Sequence, residues 1–192
     1  MRSVLGVLVV FTLAAALGLG ATWWAVANGL PAAGLSIGPW RSEPDAGTLR
    51  ADPYERAGAA RRGEAPLAAS DGLAFTAATD DAGRPLDAAC DYRLEGDLPA
   101  ARLWTLALFD SAGRRLRTDA DEPALTSANA MRADGEPLTI LLSRNARPGN
   151  WAALGGSGPF LVRLSLYDTT LASPLDREQP SALLTITRGA CR

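Results

Sequence analysis

The sequence predicts a mainly β fold, an antiparallel β-sandwich with one short N-terminal helix, carried behind a single transmembrane helix. Three observations predict it. Val4 to Ala27 is an uncharged apolar run, Asp52 to Gly63 has the signals of a capped helix, and after Leu67 short alternating runs are separated by turn residues.

The apolar run holds 24 residues without a charge, enough to cross a hydrocarbon core of about 30 Å at roughly 1.5 Å per residue. Arg2 and the free amine precede it and the next charge is Arg41, so the positive-inside bias leaves the N-terminus in the cytoplasm and exports the rest. Residues 1–28 then form a single-pass anchor in the cell inner membrane through residues 4–27, with Trp23 and Trp24 at the outer interface and the C-terminal domain in the periplasm. A cleaved signal peptide is the alternative, because Ala25-Val26-Ala27 before Asn28 fits the small-x-small cleavage pattern. A buried core helix is the third reading, although the run exceeds the usual length of globular helices.

Residues 29–51 contain Gly34, Gly38, Pro39, Pro44 and Gly47 with no sustained period, so they read as an extended connector on which Ile37 and Trp40 dock against the domain. Residues 52–192 form that domain, a common size for a single core. Asp52 is an N-cap, Pro53 fits the first helical position and Glu55 completes a capping box. Gly63 supplies a left-handed stop and Pro66 blocks continuation. Tyr54 and Ala57 mark the helix's inner side; Arg56, Arg61 and Arg62 read as a solvated face, with anionic lipid heads as the alternative.

Strands are predicted near Leu73 to Thr79, Cys90 to Glu95, Leu103 to Phe109, Leu138 to Ser143, Phe160 to Tyr167 and Ser181 to Thr187. In Phe160 to Tyr167, Phe160, Val162, Leu164 and Leu166 alternate with Leu161, Arg163, Ser165 and Tyr167, a period of two with one buried face. Trp104 shares a face with Leu106 and Leu108 and reads as core. Asp80-Asp81-Ala82-Gly83-Arg84-Pro85-Leu86 recurs as Asp110-Ser111-Ala112-Gly113-Arg114-Arg115-Leu116. In each the Asp can cap its own turn and the Gly can take a positive φ, so shared turn chemistry explains the match. Asp134-Gly135 marks a third turn.

Composition closes several chemistries. The chain has no His, and all 19 of its basic residues are Arg, so it builds no Ser-His-Asp triad, histidine zinc site or Schiff-base lysine by itself. Its formal charge of -2 comes from interleaved residues of both signs, which makes nucleic acid an unexpected partner. No cofactor or metal site is expected.

The stretches DPYERA at Asp52 to Ala57, FTAATDDAGRPLDAACDYRLEGDLP at Phe75 to Pro99, RLWTLALFD at Arg102 to Asp110, Asn150-Trp151 and GPFLVRLSLYD at Gly158 to Asp168 resemble the bacterial family called domain of unknown function 1214. The resemblance spans roughly residues 52–170. It implies a jelly-roll-like antiparallel sandwich, in agreement with the strand reading, and supplies no catalytic residue. Ala152-Ala153 stands where relatives tend to carry Leu-Pro.

The candidate sites are few. Cys90 and Cys191 are the only cysteines and read as one disulfide on the oxidising side of the membrane, with two separate buried thiols as the alternative. Trp151, with Asn150 beside it, sits in a glycine-rich loop from Arg147 to Pro159, where an indole can stack on a sugar or lipid or fold back over the sandwich. Gly155-Gly156-Ser157-Gly158 fits neither a nucleophile elbow nor a phosphate loop. Asp80, Asp81 and Asp87, or Asp119, Asp121 and Glu122, read as turn carboxylates rather than a Ca²⁺ site. The expected function is a binding or structural module for an envelope glycan, lipid or protein. The alternative is a carboxylate-dependent hydrolase of envelope glycans, its acid and base drawn from the Asp-rich turns.

Overall fold

The computed structural model describes residues 2–28, 34–116, 124–133, 135–172 and 183–192. Helix α1, Arg2–Asn28, covers the uncharged run: Ser3–Ala27 has a mean hydropathy of 2.4 and its most apolar window is unburied. It is long and apolar enough to cross a membrane, as an anchor or as a signal sequence. Only towards its end does it touch the domain, where Ala25 is buried.

Ten strands follow among the described residues: β1 (Leu35–Ile37), β2 (Trp40–Ser42), β3 (Gly72–Ala77), β4 (Cys90–Gly96), β5 (Ala101–Asp110), β6 (Leu125–Thr126), β7 (Leu138–Ser143), β8 (Asn150–Ala153), β9 (Phe160–Thr169) and β10 (Thr185–Cys191). They form a six-stranded sheet in the order β1-β2-β3-β9-β5-β6 and a four-stranded sheet in the order β10-β4-β7-β8. The fold is therefore mainly β and sandwich-like, with the inward residues of both sheets in one hydrophobic core. Phe75, Val162, Leu164 and Leu106 from the large sheet share that core with Tyr92, Leu94, Ile140 and Ile186 from the small one. Tyr92 and Phe160 join the sheets edge to face, ring centroids 5.6 Å apart.

The six expected strands are present with boundaries shifted by a few residues, although Ser181 and Ala182 lie outside the described residues. Three departures have physical causes. The connector is not merely extended: β1 and β2 form a hairpin that extends the large sheet through β2 and β3, with Trp40 opposite Ala77 and Ser42 opposite Phe75. Its strands are three residues each, too short to display a period. The Arg147 to Pro159 segment is not wholly loop, since Asn150–Ala153 pairs with β7. That pairing is parallel, so the small sheet is mixed rather than purely antiparallel. Trp104 is part-buried and packs against the core instead of lying within it.

Helix α2, Pro53–Arg62, follows its caps closely. Asp52 accepts from the Tyr54 N–H at 2.8 Å and Gly63 closes the helix at φ 66°. The buried side of α2 differs from the expected one: Gly58 and Ala59 are buried, whereas Tyr54 and Ala57 are exposed. Gly58 faces the end of α1, where a Cβ would lie in ordinary contact 3.7 Å from the Val26 carbonyl oxygen, and Ala59 lines the cleft described below.

The repeated turns match bond for bond. Asp80 Oδ1 accepts from the Ala82 and Arg84 N–H groups and its Oδ2 from Arg84 Nε; Asp110 makes the same three bonds to Ala112 and Arg114. Gly83 and Gly113 both have φ 76°, a conformation that glycine adopts without a Cβ penalty.

Candidate functional site

A cleft lies between α2, the segment before it, and the outer face of the large sheet. Because strand residues alternate, the outer face carries what the core rejects. The register sets Arg41, Thr76 and Arg163 in one row across β2, β3 and β9, with Ala74 and Ser165 in the next. Glu43 follows β2, while Glu55, Ala59 and Arg62 share one side of α2 at helical spacing. These residues, with Glu64 and Tyr167, line a cavity of about 420 Å³. An adjoining cavity of about 310 Å³ shares Arg62, Glu64, Thr76 and Arg163 and reaches Ala27 at the end of α1.

Two carboxyls in this cleft are driven in opposite directions. Glu55 is pushed up to about 7 by burial and by the hydrogen-bonded Glu43 carboxyl, against the pull of the Asp52 backbone N–H. Glu55 Oε1 is buried without a hydrogen-bond partner among the described residues. Burial also pushes Glu64 up, but Arg62 at 3.0 Å and Arg163 at 3.3 Å outweigh it and hold the carboxyl below its ordinary value. Arg163 additionally lies over the Phe109 ring, 4.9 Å from its centroid. The cleft thus offers a carboxyl raised to about 7, a carboxylate held low by two arginines, and partly exposed guanidinium groups.

This cleft is not legible in the sequence. Glu55 was legible as a cap, yet Glu43, Glu64 and Arg163 come from separate elements, and no spacing rule links them. Asn150, Trp151 and the two cysteines lie away from this cleft. Asn150 is buried and clamps two segments: Oδ1 accepts from the Met131 N–H at 2.6 Å, and Nδ2 donates to Met131 O at 2.7 Å and Thr139 O at 2.9 Å. Trp151 is part-buried on β8, its indole N–H donating to Ser143 O at 3.0 Å and Ser143 Oγ at 3.1 Å. Cys90 and Cys191 face each other at disulfide distance as register partners of β4 and β10.

In the described Asp-rich turn, Asp80, Asp81 and Asp87 are each engaged by neighbouring groups. Asp80 is buried and engaged by Arg84 and Arg188; burial pushes it up, but the backbone and side-chain bonds to Arg84 and the charge of Arg188 hold it below its ordinary value. Asp81 accepts from the Ile186 N–H, and Asp87 from the Ala89 N–H at 2.8 Å. Each is a turn or strand cap. Asp119, Asp121 and Glu122 lie outside the described residues. Among the described residues no three His, Cys, Asp or Glu side chains gather as a metal-holding group.

No curated protein matches the chain. The crystal structure of the VPA0106 protein from Vibrio parahaemolyticus shares the fold at a TM-score of 0.57 and 15% identity, over 71% of this chain and 35% of that one. An uncharacterised protein from Burkholderia cenocepacia aligns at a TM-score of 0.42 and 22% identity, over 64% of this chain and 30% of that one. The chain thus spans about a third of the length of these structures. Residues 71–171, more than half of the chain and running from the start of β3 to the turn after β9, match the family described as "Protein of unknown function (DUF1214)", and the chain belongs to that family.

Proposed function

We propose that the chain is a membrane-anchored envelope protein whose β-sandwich binds a polar ligand in the cleft between α2 and the large sheet. The observation that carries this reading is the cleft itself. At about 420 Å³ it falls in the range of small-molecule sites, and it has an unpartnered Glu55 oxygen beside guanidinium groups. Export agrees with the apolar α1 and with a cysteine pair at disulfide distance. We assign Asn150 and Trp151 to structure in this reading, because their polar atoms are already engaged.

The test is a thermal-shift screen of the full chain against peptidoglycan fragments, other glycans and phospholipids. A ligand that binds only the folded state raises the melting temperature. The expected result is a shift that Thr76→Trp, which fills the cleft, abolishes. A shift that survives this substitution, or none across the panel, overturns the reading.

A hydrolase is the second reading, and one observation favours it: Glu55 is poised to donate a proton while Glu64 stays ionised in the same cleft. It ranks second because Arg62 and Arg163 make Glu64 a weak base. Release of reducing ends from peptidoglycan, lost in Glu55→Gln and in Glu64→Gln, would put it first.

A further inference from the structure

Arg61 stands over the Trp23 ring, its guanidinium carbon 4.3 Å from the ring centroid. Trp23 is on α1, four residues before the end of the apolar span at Ala27, and is largely exposed. Tryptophan near the end of a spanning helix sits at headgroup depth, so a guanidinium stacked on it sits there too. Arg61 has no carboxylate partner among the described residues, whereas Arg62 beside it is shared with Glu64 at 3.0 Å. Gly58 of α2 also faces the Val26 backbone at the same end of α1. The cavity that reaches Ala27 is lined by Arg62 and Arg163 as well.

We infer that the last turn of α2 docks on the bilayer and takes an anionic phospholipid headgroup between Arg61 and Arg62, at the mouth of the cleft. This rests on the membrane-anchor reading of α1 proposed above. The physical reason is charge complementarity at a forced depth. A cation held at the interface by its own protein has the lipid phosphate as its counter-ion, and basic residues near an anionic leaflet are attracted individually. The domain is then held against the membrane instead of swinging on a tether, and its cleft opens at the lipid surface.

The test uses the full chain in lipid nanodiscs of phosphatidylcholine alone or mixed with phosphatidylglycerol. The readout is the melting temperature of the domain in each disc. The expected result is a rise in the anionic disc of about 2–4 °C for each arginine engaged, lost in high salt and in the Arg61→Gln/Arg62→Gln double variant. Because each variant is compared with itself in the two discs, any loss of the Trp23 contact cancels. Equal melting temperatures in the two discs overturn the inference, as does a rise that survives the double substitution. So does a rise reproduced by inorganic phosphate in the zwitterionic disc, which would indicate a free anion. Flotation separates the two failures: a chain that floats with the discs without a lipid-dependent shift sinks only the headgroup site, whereas one that does not float sinks the anchor with it.

Discussion

Trp40 donates its indole N–H to the backbone carbonyl of Leu184 at 2.6 Å, across 144 residues and from one sheet to the segment leading into the other. The residue is 1% exposed. A segment that reads as a connector therefore contributes one of the largest side chains in the core, and it ties the start of the domain to its end.

Trp40→Phe keeps most of the ring and leaves the Leu184 carbonyl buried without its donor. The expected cost is about 1–3 kcal/mol, read as a lower urea midpoint with an unchanged slope. Trp40→Ala adds a cavity and should cost about 3–5 kcal/mol.

Cys90 and Cys191 close a loop across a sequence separation of 101. Chain entropy makes such a closure worth up to roughly 4–5 kcal/mol. Urea melts with and without a reducing agent should differ by an amount of that order, and a Cys90→Ser/Cys191→Ser variant should melt alike in both.

Glu55, at about 7 against an ordinary 4.5, binds a proton in the folded state that the unfolded chain releases. Its contribution to stability is fully present below the ordinary value and is lost as pH rises through about 7. Solvent screening of a part-exposed group reduces the effect to on the order of 1 kcal/mol. Glu55→Gln should flatten this part of the profile and be the more stable protein above neutral pH. A pH series of melting temperatures for both proteins checks it.

Asp80 and Asp110 make the same turn bonds, yet the Asp80 side chain is 1% exposed and the Asp110 side chain 26%. Asp80→Asn should cost on the order of 2 kcal/mol, because a buried charged acceptor is lost beside Arg84 and Arg188. Asp110→Asn should cost clearly less. Because Asp80 is held below its ordinary value, its share of stability is present at neutral pH and lost as pH falls through the folded value. Acid melts of the two variants should separate on that limb.

By itself, the sequence determined those features whose causes are local: the apolar length of α1, the caps of α2 at Asp52 and Gly63, the period of two in β9, and the twin turns around Gly83 and Gly113. Each is settled within a few residues by sterics, hydrogen-bond supply or solvent. Cys90 and Cys191 belong with them only because a pair of cysteines admits a single intramolecular partnership. Tertiary structure decided the rest. Strands as short as β1, β2 and β8 exist because a neighbouring strand completes their hydrogen bonds. The inner side of α2, Gly58 and Ala59, followed from which face meets α1 and the large sheet, which no apolar stripe announces. The cleft assembled Glu43, Glu55, Glu64 and Arg163 from distant parts of the chain, and the opposite shifts of Glu55 and Glu64 arose only once folding fixed which charges face them.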